Sequence, residues 1–413
     1  MSDTLDDVFG NEELDDLFDN FDQNTIFKDK SYIQTQHKPK TVPHRSDEIK
    51  MVASILAPVL RGERTSNLFV YGNTGTGKTL SVLYVKDAIE QRMKKNPRDD
   101  FELKIEYLNC KLKQVADTEY RILAALMKQM GEDVPSTGLP TQEVYARFIN
   151  LIDSKKQVIV LILDEIDQIV NKISNNFLYS LTRLNSELSQ SQISVVGISN
   201  DLTFLDNVDP RVKSSLSEEE IIFAPYNALQ IQDILNKRVE QAFHENVLDP
   251  GVVPKCAAYA SRESGDARRA LDLLRVAAEL AERAGSKTIN ISHIDEAKNK
   301  IEKDKILEII RGHPKQFQIV LYSIIQLSMK NKDAFFTGDV YANYQNLCDL
   351  FRSDVLTQRR VGDIIQEFDM LGIINVRVIS KGRGGRMREI RLAIAPNILE
   401  KAKEILKDSL DYN

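Results

Sequence analysis

Apolar positions along the chain change their period twice, and the changes divide it. Through residues 60–224, short unbroken apolar runs alternate with stretches of helical spacing. Leu68–Tyr71 (LFVY), Leu103–Asn109, the run within Gln157–Asp167 (QVIVLILDEID) and Ile193–Ser199 read as strands. An unbroken apolar run is the pattern of a central parallel strand buried on both faces. Helical spacing covers Glu48–Leu60, Leu80–Met93, Thr118–Met130 and Thr141–Ile152. Strands alternating with helices predict an α/β fold, a doubly wound parallel sheet. Gly131–Pro140 holds two prolines and two glycines, and this loop with the helix after it reads as an insertion.

From Pro225 the strand pattern stops. Ala228–Phe243, Val253–Arg262, Asp266–Ala284 and Ser292–Ile310 predict an all-helical second domain. The last hundred residues change again. Gln316–Met329, Thr337–Leu350 and Gln358–Leu371 are helical, the third with Thr357 as its N-cap. Two short strands follow, Ile373–Ile379 and Arg388–Ile394, joined by Lys381–Arg386 (KGRGGR). Three helices and a β-hairpin in that order predict a winged helix. The expected divisions are a tail (1–27), a sheet domain (28–224), a helical domain (225–310) and a winged helix (311–413). A chain of 413 residues has the length for several domains.

Between the Leu68 strand and the Leu80 helix lies GNTGTGKT, Gly72-Asn73-Thr74-Gly75-Thr76-Gly77-Lys78-Thr79. This is the phosphate-loop pattern in the strand–loop–helix setting it requires. Its glycines let backbone N–H groups close on phosphate oxygens, and the helix adds its positive end. Lys78 is placed for the β- and γ-phosphates, and the Thr79 hydroxyl for Mg²⁺. About 85 residues on, the apolar strand ends in Asp164-Glu165, at the carboxyl edge where ligands bind in open α/β sheets. Asp164 would hold Mg²⁺ through its water shell, and Glu165 would polarise an attacking water. Asn200, at the end of the next strand, is either a γ-phosphate or water-orienting amide or a turn residue. Thr41–Arg45 (TVPHR) either lines the nucleotide base or is a linker. Arg268, in the first turn after the N-cap Asp266, could project toward a phosphate.

The formal charge of −6 is an average over unlike parts. Nine acidic and no basic side chains fall in residues 1–27, which leaves the rest at +3. That acidic stretch repeats Leu5-Asp-Asp-Val-Phe9 as Leu14-Asp-Asp-Leu-Phe18, either a solvated tail or a helix for a partner's groove. Residues 375–392 carry six Lys/Arg against one Glu. With Gln358, Arg359 and Arg360 in the first turn of the third helix, they form a candidate DNA surface with Lys381, Arg383 and Arg386. A solvated basic hairpin on a protein-binding winged helix is the alternative. No apolar run is long enough for a membrane span. The three scattered cysteines suit buried thiols in a reducing cytosol, and five scattered histidines suggest no structural metal.

GNTGTGKT, ILDEID, ISN, DPRVKSSLSEEEIIFAPY, GDARRALDLLR and IINVRVISKGRGG, in this order, resemble the archaeal replication initiators. These AAA+ proteins are similar to the eukaryotic origin-recognition large subunit and its helicase-loading partner. The resemblance runs from about Phe27 to the C-terminus. It implies an AAA+ base, an all-helical lid and a C-terminal winged helix clasping double-stranded origin DNA. It makes the element of about residues 131–148 an initiator-specific insertion reaching the minor groove. It places Val42 and Arg45 beside the adenine of ATP or ADP, Tyr226 and Arg238 at the nucleotide, and Arg268 as the lid's phosphate sensor. The implied partners are the replicative helicase or other replication proteins and a second initiator copy on adjacent DNA, in the cytoplasm at the nucleoid. In the eukaryotic relatives the stretch matching Arg211–Ser215 ends in an arginine that completes a neighbour's ATP site. Here Ser215 stands there, which implies weak ATPase activity unless Arg211 or Lys213 substitutes. A switch that holds nucleotide is therefore expected, with a remodeller or clamp-loader-like ATPase as the alternative.

Overall fold

Each apolar run becomes a strand of one parallel sheet in the computed structural model, which describes residues 25–35, 37, 39, 41–111, 118–135, 138–330, 335–380, 386–394 and 396–410. The strands are β1 (Leu68–Tyr71), β2 (Glu102–Asn109), β3 (Gln157–Asp164), β4 (Gln192–Ser199) and β5 (Glu219–Ile222). They lie in the order β2-β3-β4-β1-β5, all parallel. β5 escapes the sequence pattern because it is an edge strand of sequence EEII with only Ile221 buried.

Around the sheet lie α1 (Ser46–Leu56), α2 (Lys78–Lys95), α3 (Glu119–Gln129), α4 (Thr141–Ile152), α5 (Asp167–Lys172), α6 (Asn175–Arg183), α7 (Phe204–Asn207) and α8 (Pro210–Leu216). All eight residues of β3 are buried, and their alternation supplies both cores. Val158, Val160 and Ile162 pack with Val52 of α1 and Val82 and Val85 of α2. Ile159, Leu161 and Leu163 pack with Leu126 of α3, Phe148 of α4 and Leu178 of α6. Each such burial is worth about 1.5–3 kcal/mol, so β3 is the strand the layers depend on. Of the stretch read as an insertion, α4 contributes Val144 and Phe148 to this core, and residues 136 and 137 lie outside the described residues.

The all-helical segment follows as α9 (Ala228–Ala242), α10 (Val252–Glu263), α11 (Ala267–Arg283) and α12 (Ile291–Gly312). Asn227 and Gln230 form a capping box on α9, and Asp266 caps α11 by accepting from the Arg268 and Arg269 amides. The segment ahead of α1 packs on these helices rather than on the sheet. Phe27 stacks on Phe243 at 5.0 Å, Lys28 N donates to the Ala242 carbonyl at 2.8 Å, and Lys30 pairs with Glu279 at 2.9 Å. The expected acidic tail lies, up to Asn24, outside the described residues.

The chain divides into two compact units, one reaching to Ile294 and one from Asp295 onward. In the second, α13 (Lys315–Lys330), α14 (Thr337–Leu350) and α15 (Gln358–Met370) enclose a core with Tyr322, Tyr344 and Phe368. Its antiparallel sheet has the order β6-β8-β7, with β6 (Phe335–Phe336), β7 (Ile374–Ser380) and β8 (Arg386–Leu392). β8 starts two residues before the expected Arg388. Pairing Ile390 with Val376 and Leu392 with Ile374 puts the apolar side chains on one face, and that register sets Arg386 opposite Ser380. Arg386 is therefore a strand residue, not a hairpin-tip residue. The two-residue β6 and the closing helix α16 (Pro396–Ser409) were not read from the sequence. Among the described residues, no helix is long and apolar enough to cross a membrane.

One carboxylate fixes the approach to β4. Asp153, just past α4, accepts from the amides of Ser189 (2.9 Å), Gln190 (2.8 Å) and Ser191 (2.9 Å). These donors hold its pKa below the ordinary carboxylate value. A depressed folded-state pKa contributes stability above the unfolded value and loses it as pH falls through the folded one. Asp153→Ala is expected to cost about 1–2 kcal/mol at neutral pH. In denaturant titrations at several pH values, the gap to the wild type should stay constant above about pH 5 and shrink below about pH 4.

Candidate functional site

At the carboxyl edge of the sheet, the phosphate loop leaves β1 and turns into α2. Gly75 (φ 68°) and Gly77 (φ 91°) occupy the left-handed region, which L side chains rarely adopt. A Cβ on Gly75 would lie 1.6 Å from Asp266 Oδ1, so the loop and the start of α11 are in direct contact. Thr74 Oγ1 donates to Asp266 Oδ2 at 3.2 Å, and Ala267 N reaches the Gly75 carbonyl at 3.4 Å. The helical segment thus rests on the loop with the turn that carries Arg268.

A cavity of about 710 Å³ opens there. It gathers most of the expected residues: Val42, Gly75, Gly77, Lys78, Thr79, Asp164, Glu165, Asn200, Tyr226, Arg238 and Arg268. Gly72, Asn73, Thr74, Thr76 and Arg45 do not line it. The volume lies in the range of small-ligand sites. Lys78 is buried, and its Nζ donates to the Gly72 and Asn73 carbonyls at 2.8 and 2.7 Å. Burial pushes its ammonium down to about 8, while Asp164 pulls the other way. A phosphate would add an anion beside this buried cation.

The two residues expected to hold a metal also meet. Thr79 Oγ1 donates to Asp164 Oδ2 at 2.9 Å, and the Glu165 amide donates to Asp164 Oδ1 at 3.0 Å. A hydroxyl and a carboxylate are hard oxygen donors, and Mg²⁺ is commonly held by one or two protein oxygens together with substrate phosphates and waters. The donor set fits that ion. Among the described residues, no group of three or more His, Cys, Asp or Glu is arranged to hold a metal. Glu165 sits at φ 55°, a costly setting for a non-glycine residue of the kind found at functional sites, and pairs with Lys111 at 3.3 Å.

Arg45, expected to flank adenine, is held behind the phosphate loop. It is 4% exposed. Its Nε donates to the Thr76 carbonyl at 2.8 Å, Nη1 to Glu48 at 2.6 Å, and Nη2 to the Ala224 carbonyl. Its guanidinium lies over the Tyr226 ring at 4.1 Å. Arg238 is also buried and donates to the Tyr32 and His37 carbonyls at 3.2 and 3.4 Å. Tyr32, Thr35 and His37 thereby join the cavity wall, and Tyr107 lines its sheet side. Nothing in their spacing marks them, since they read as an ordinary linker and an ordinary strand. Ser215 is half-buried at the end of α8, Arg211 is bidentate to Asp209 (3.1 and 2.9 Å), and Lys213 pairs with Asp206 (3.3 Å).

In the second unit, Gln358, Arg359 and Arg360 are exposed in the first turn of α15, with Thr357 accepting from the Arg360 amide at 3.3 Å. Arg388 Nη1 donates to the Gly362 carbonyl at 3.3 Å, which ties β8 to that helix. Lys381 and Arg383 lie outside the described residues.

Three family models match successive parts of the chain: an AAA domain (residues 61–203), a Cdc6 AAA+ ATPase-type lid domain (232–299) and a CDC6 C-terminal winged helix domain (308–402). The chain is 48% identical over 387 residues to an ORC1-type DNA replication protein of Pyrococcus furiosus, covering 92% of this chain and 91% of that one. It is 46% identical over 389 residues to ORC1-type DNA replication protein 1 of Archaeoglobus fulgidus, covering 94% and 93%. The structure of the Aeropyrum pernix ORC1 protein in complex with DNA matches with a TM-score of 0.81 and 41% identity, over 93% of this chain and 97% of that chain.

Arg45 yields a direct test. Arg45→Met keeps the bulk but removes the guanidinium, leaving two backbone carbonyls and Glu48 without their donor. Unfolding in denaturant is expected to show a loss of about 3–5 kcal/mol, the usual cost of breaking a buried charged contact. A loss under 1 kcal/mol would mean that the contacts are incidental.

Proposed function

The chain belongs to the ORC1-type DNA replication proteins, and on that premise we propose that it is an ATP- or ADP-switched initiator that binds double-stranded origin DNA. The observation that carries this reading is the single cavity where the phosphate loop, Asp164 and Glu165 meet Arg238 and Arg268 of the helical segment. A nucleotide there touches both the sheet domain and the lid, so its phosphate count can bias the angle between them. When bound, Mg²⁺ supplies charge neutralisation at the β- and γ-phosphates. Thr79 and Asp164 would hold it, Lys78 would meet the phosphates, Glu165 would orient the attacking water, and Asn200 would touch the γ-phosphate or that water.

The first turn of α15 would enter the major groove, and the hairpin with Lys381, Arg383 and Arg386 would follow the backbone. The element of residues 131–148 would add a minor-groove contact, partly reading groove shape. The Aeropyrum pernix ORC1 structure, which contains DNA, supports this partner at 41% identity. In the ATP-bound state the protein would recruit or load the replicative helicase, and a second copy would bind adjacent DNA. Turnover would be weak. An arginine finger is worth about 10³–10⁵ in rate, and here Ser215 replaces it while Arg211 and Lys213 are engaged by Asp209 and Asp206.

The test is selection of sheared source-genome DNA by the purified protein at moderate salt, followed by sequencing. Retention of a few sharp loci that share a short repeat is expected. Arg383→Ala/Arg386→Ala should weaken that signal and reduce the salt slope by about 1 per arginine that contacts phosphate. Glu165→Ala should leave site-specific DNA binding intact while abolishing the residual hydrolysis. Uniform retention that vanishes with salt, or loss of DNA binding in Glu165→Ala, would instead favour a remodeller driven by turnover.

A further inference from the structure

We propose that Tyr107 is a positioning residue for the divalent cation, its phenol fixing the orientation of the Asp164 carboxylate from the neighbouring strand. The inference rests on the nucleotide reading above and adds to it a residue that no motif includes. β2 and β3 run parallel in a register that sets Asn109 opposite Asp164 and Tyr107 opposite Ile162. Tyr107 lies two residues back along β2 from Asn109, and its long side chain reaches forward to the end of β3. Its hydroxyl donates to Asp164 Oδ2 at 2.8 Å. Thr79 Oγ1 donates to the same oxygen at 2.9 Å from the start of α2.

A carboxylate left free at a strand end turns about its last bond. Here Oδ2 is held by two hydroxyls from different elements, and Oδ1 by the Glu165 amide at 3.0 Å. Three donors on two oxygens leave one rotational setting, with accepting capacity to spare, since an ionised carboxylate has about four lone-pair sites. Thr79 can keep its donation to Asp164 while its own lone pairs face a cation. Tyr107 is then the hydroxyl donor to Oδ2 that takes no part in ligating the cation, and with Thr79 it keeps that oxygen in place.

Packing explains the ring but not the hydroxyl. The ring is half-buried against the core between the sheet and α2, where any large apolar side chain would serve. The backbone at this point is held separately, because Gln129 Nε2 donates to the Tyr107 carbonyl at 3.1 Å. The phenol lines the cavity and spends its proton on the one acid assigned to the cation. Partners that orient a metal-binding group typically change metal affinity by about 10–100-fold when removed.

The experiment compares wild type with Tyr107→Phe in the full chain. Binding of a fluorescent ribose-labelled ADP is measured in EDTA, and then the half-saturating Mg²⁺ for the metal-dependent gain is measured by titration. The expected result is equal affinity in EDTA and a Mg²⁺ midpoint raised about tenfold or more in Tyr107→Phe. Equal Mg²⁺ midpoints in the two proteins, with a clear metal dependence in the wild type, overturn the assignment. Weakened binding in EDTA as well would make Tyr107 a general packing residue and overturn it too. Wild-type protein that binds no nucleotide under either condition defeats the nucleotide reading itself, an outcome distinct from the other two.

Discussion

The fold around the site depends on one buried cation. Arg45 sits where three stretches of chain meet: the start of α1, the phosphate loop at Thr76, and the connection at Ala224 that leads into the helical lid. Burying a guanidinium costs several kcal/mol unless its donors are matched, so this group holds its partners in one arrangement. The rings of Phe223 and Tyr226 lie within 5.3 and 4.1 Å of it and exclude water from the contacts. From the opposite side the loop meets Asp266 through Thr74 and Gly75. The phosphate loop is therefore clamped between a buried arginine and the first turn of α11. Through these contacts the loop and the start of the lid are joined directly.

Legibility from sequence followed the range of the interactions. The phosphate loop, the acids ending β3 and the cap at Asp266 were readable because their chemistry is local: a glycine turn, an apolar run with its last two residues, an N-cap. The loop and the two acids meet at one cavity because parallel topology sends every strand's carboxyl end to the same edge. Arg45 shows where that reading stops. Its partners Thr76 and Ala224 lie 31 and 179 residues away and offer only backbone carbonyls, which no side-chain pattern records. Tyr107 was hidden for a related reason. In a strand a tyrosine reads as a half-buried wall residue, and only the register with β3 reveals that its hydroxyl reaches Asp164.

The second unit repeats the lesson at smaller scale. Its three helices followed from spacing and from the Thr357 cap. The hairpin register did not, because a basic, glycine-rich sequence gives little apolar contrast to fix it. Pairing of Ile390 with Val376 decided the register, and this placed Arg388 where it reaches the Gly362 carbonyl of α15. That contact ties β8 to α15.

The attachments of the lid also bear on whether nucleotide is held or consumed. The segment before α1 is bonded to α9 and α11 through Phe27, Lys28 and Lys30, and Arg238 of α9 grips the same segment at Tyr32 and His37. His44, held at φ 57°, adds a 2.8 Å contact to Asp233. Tyr32, Thr35 and His37, from the stretch that Arg238 holds, line the cavity. Opening the cavity on this side requires the Arg238 contacts to break. A motor needs a lid that opens on every turnover and a neighbouring arginine to trigger each one. Arg211 and Lys213, the cations beside Ser215 in the chain, pair at the surface with Asp209 and Asp206.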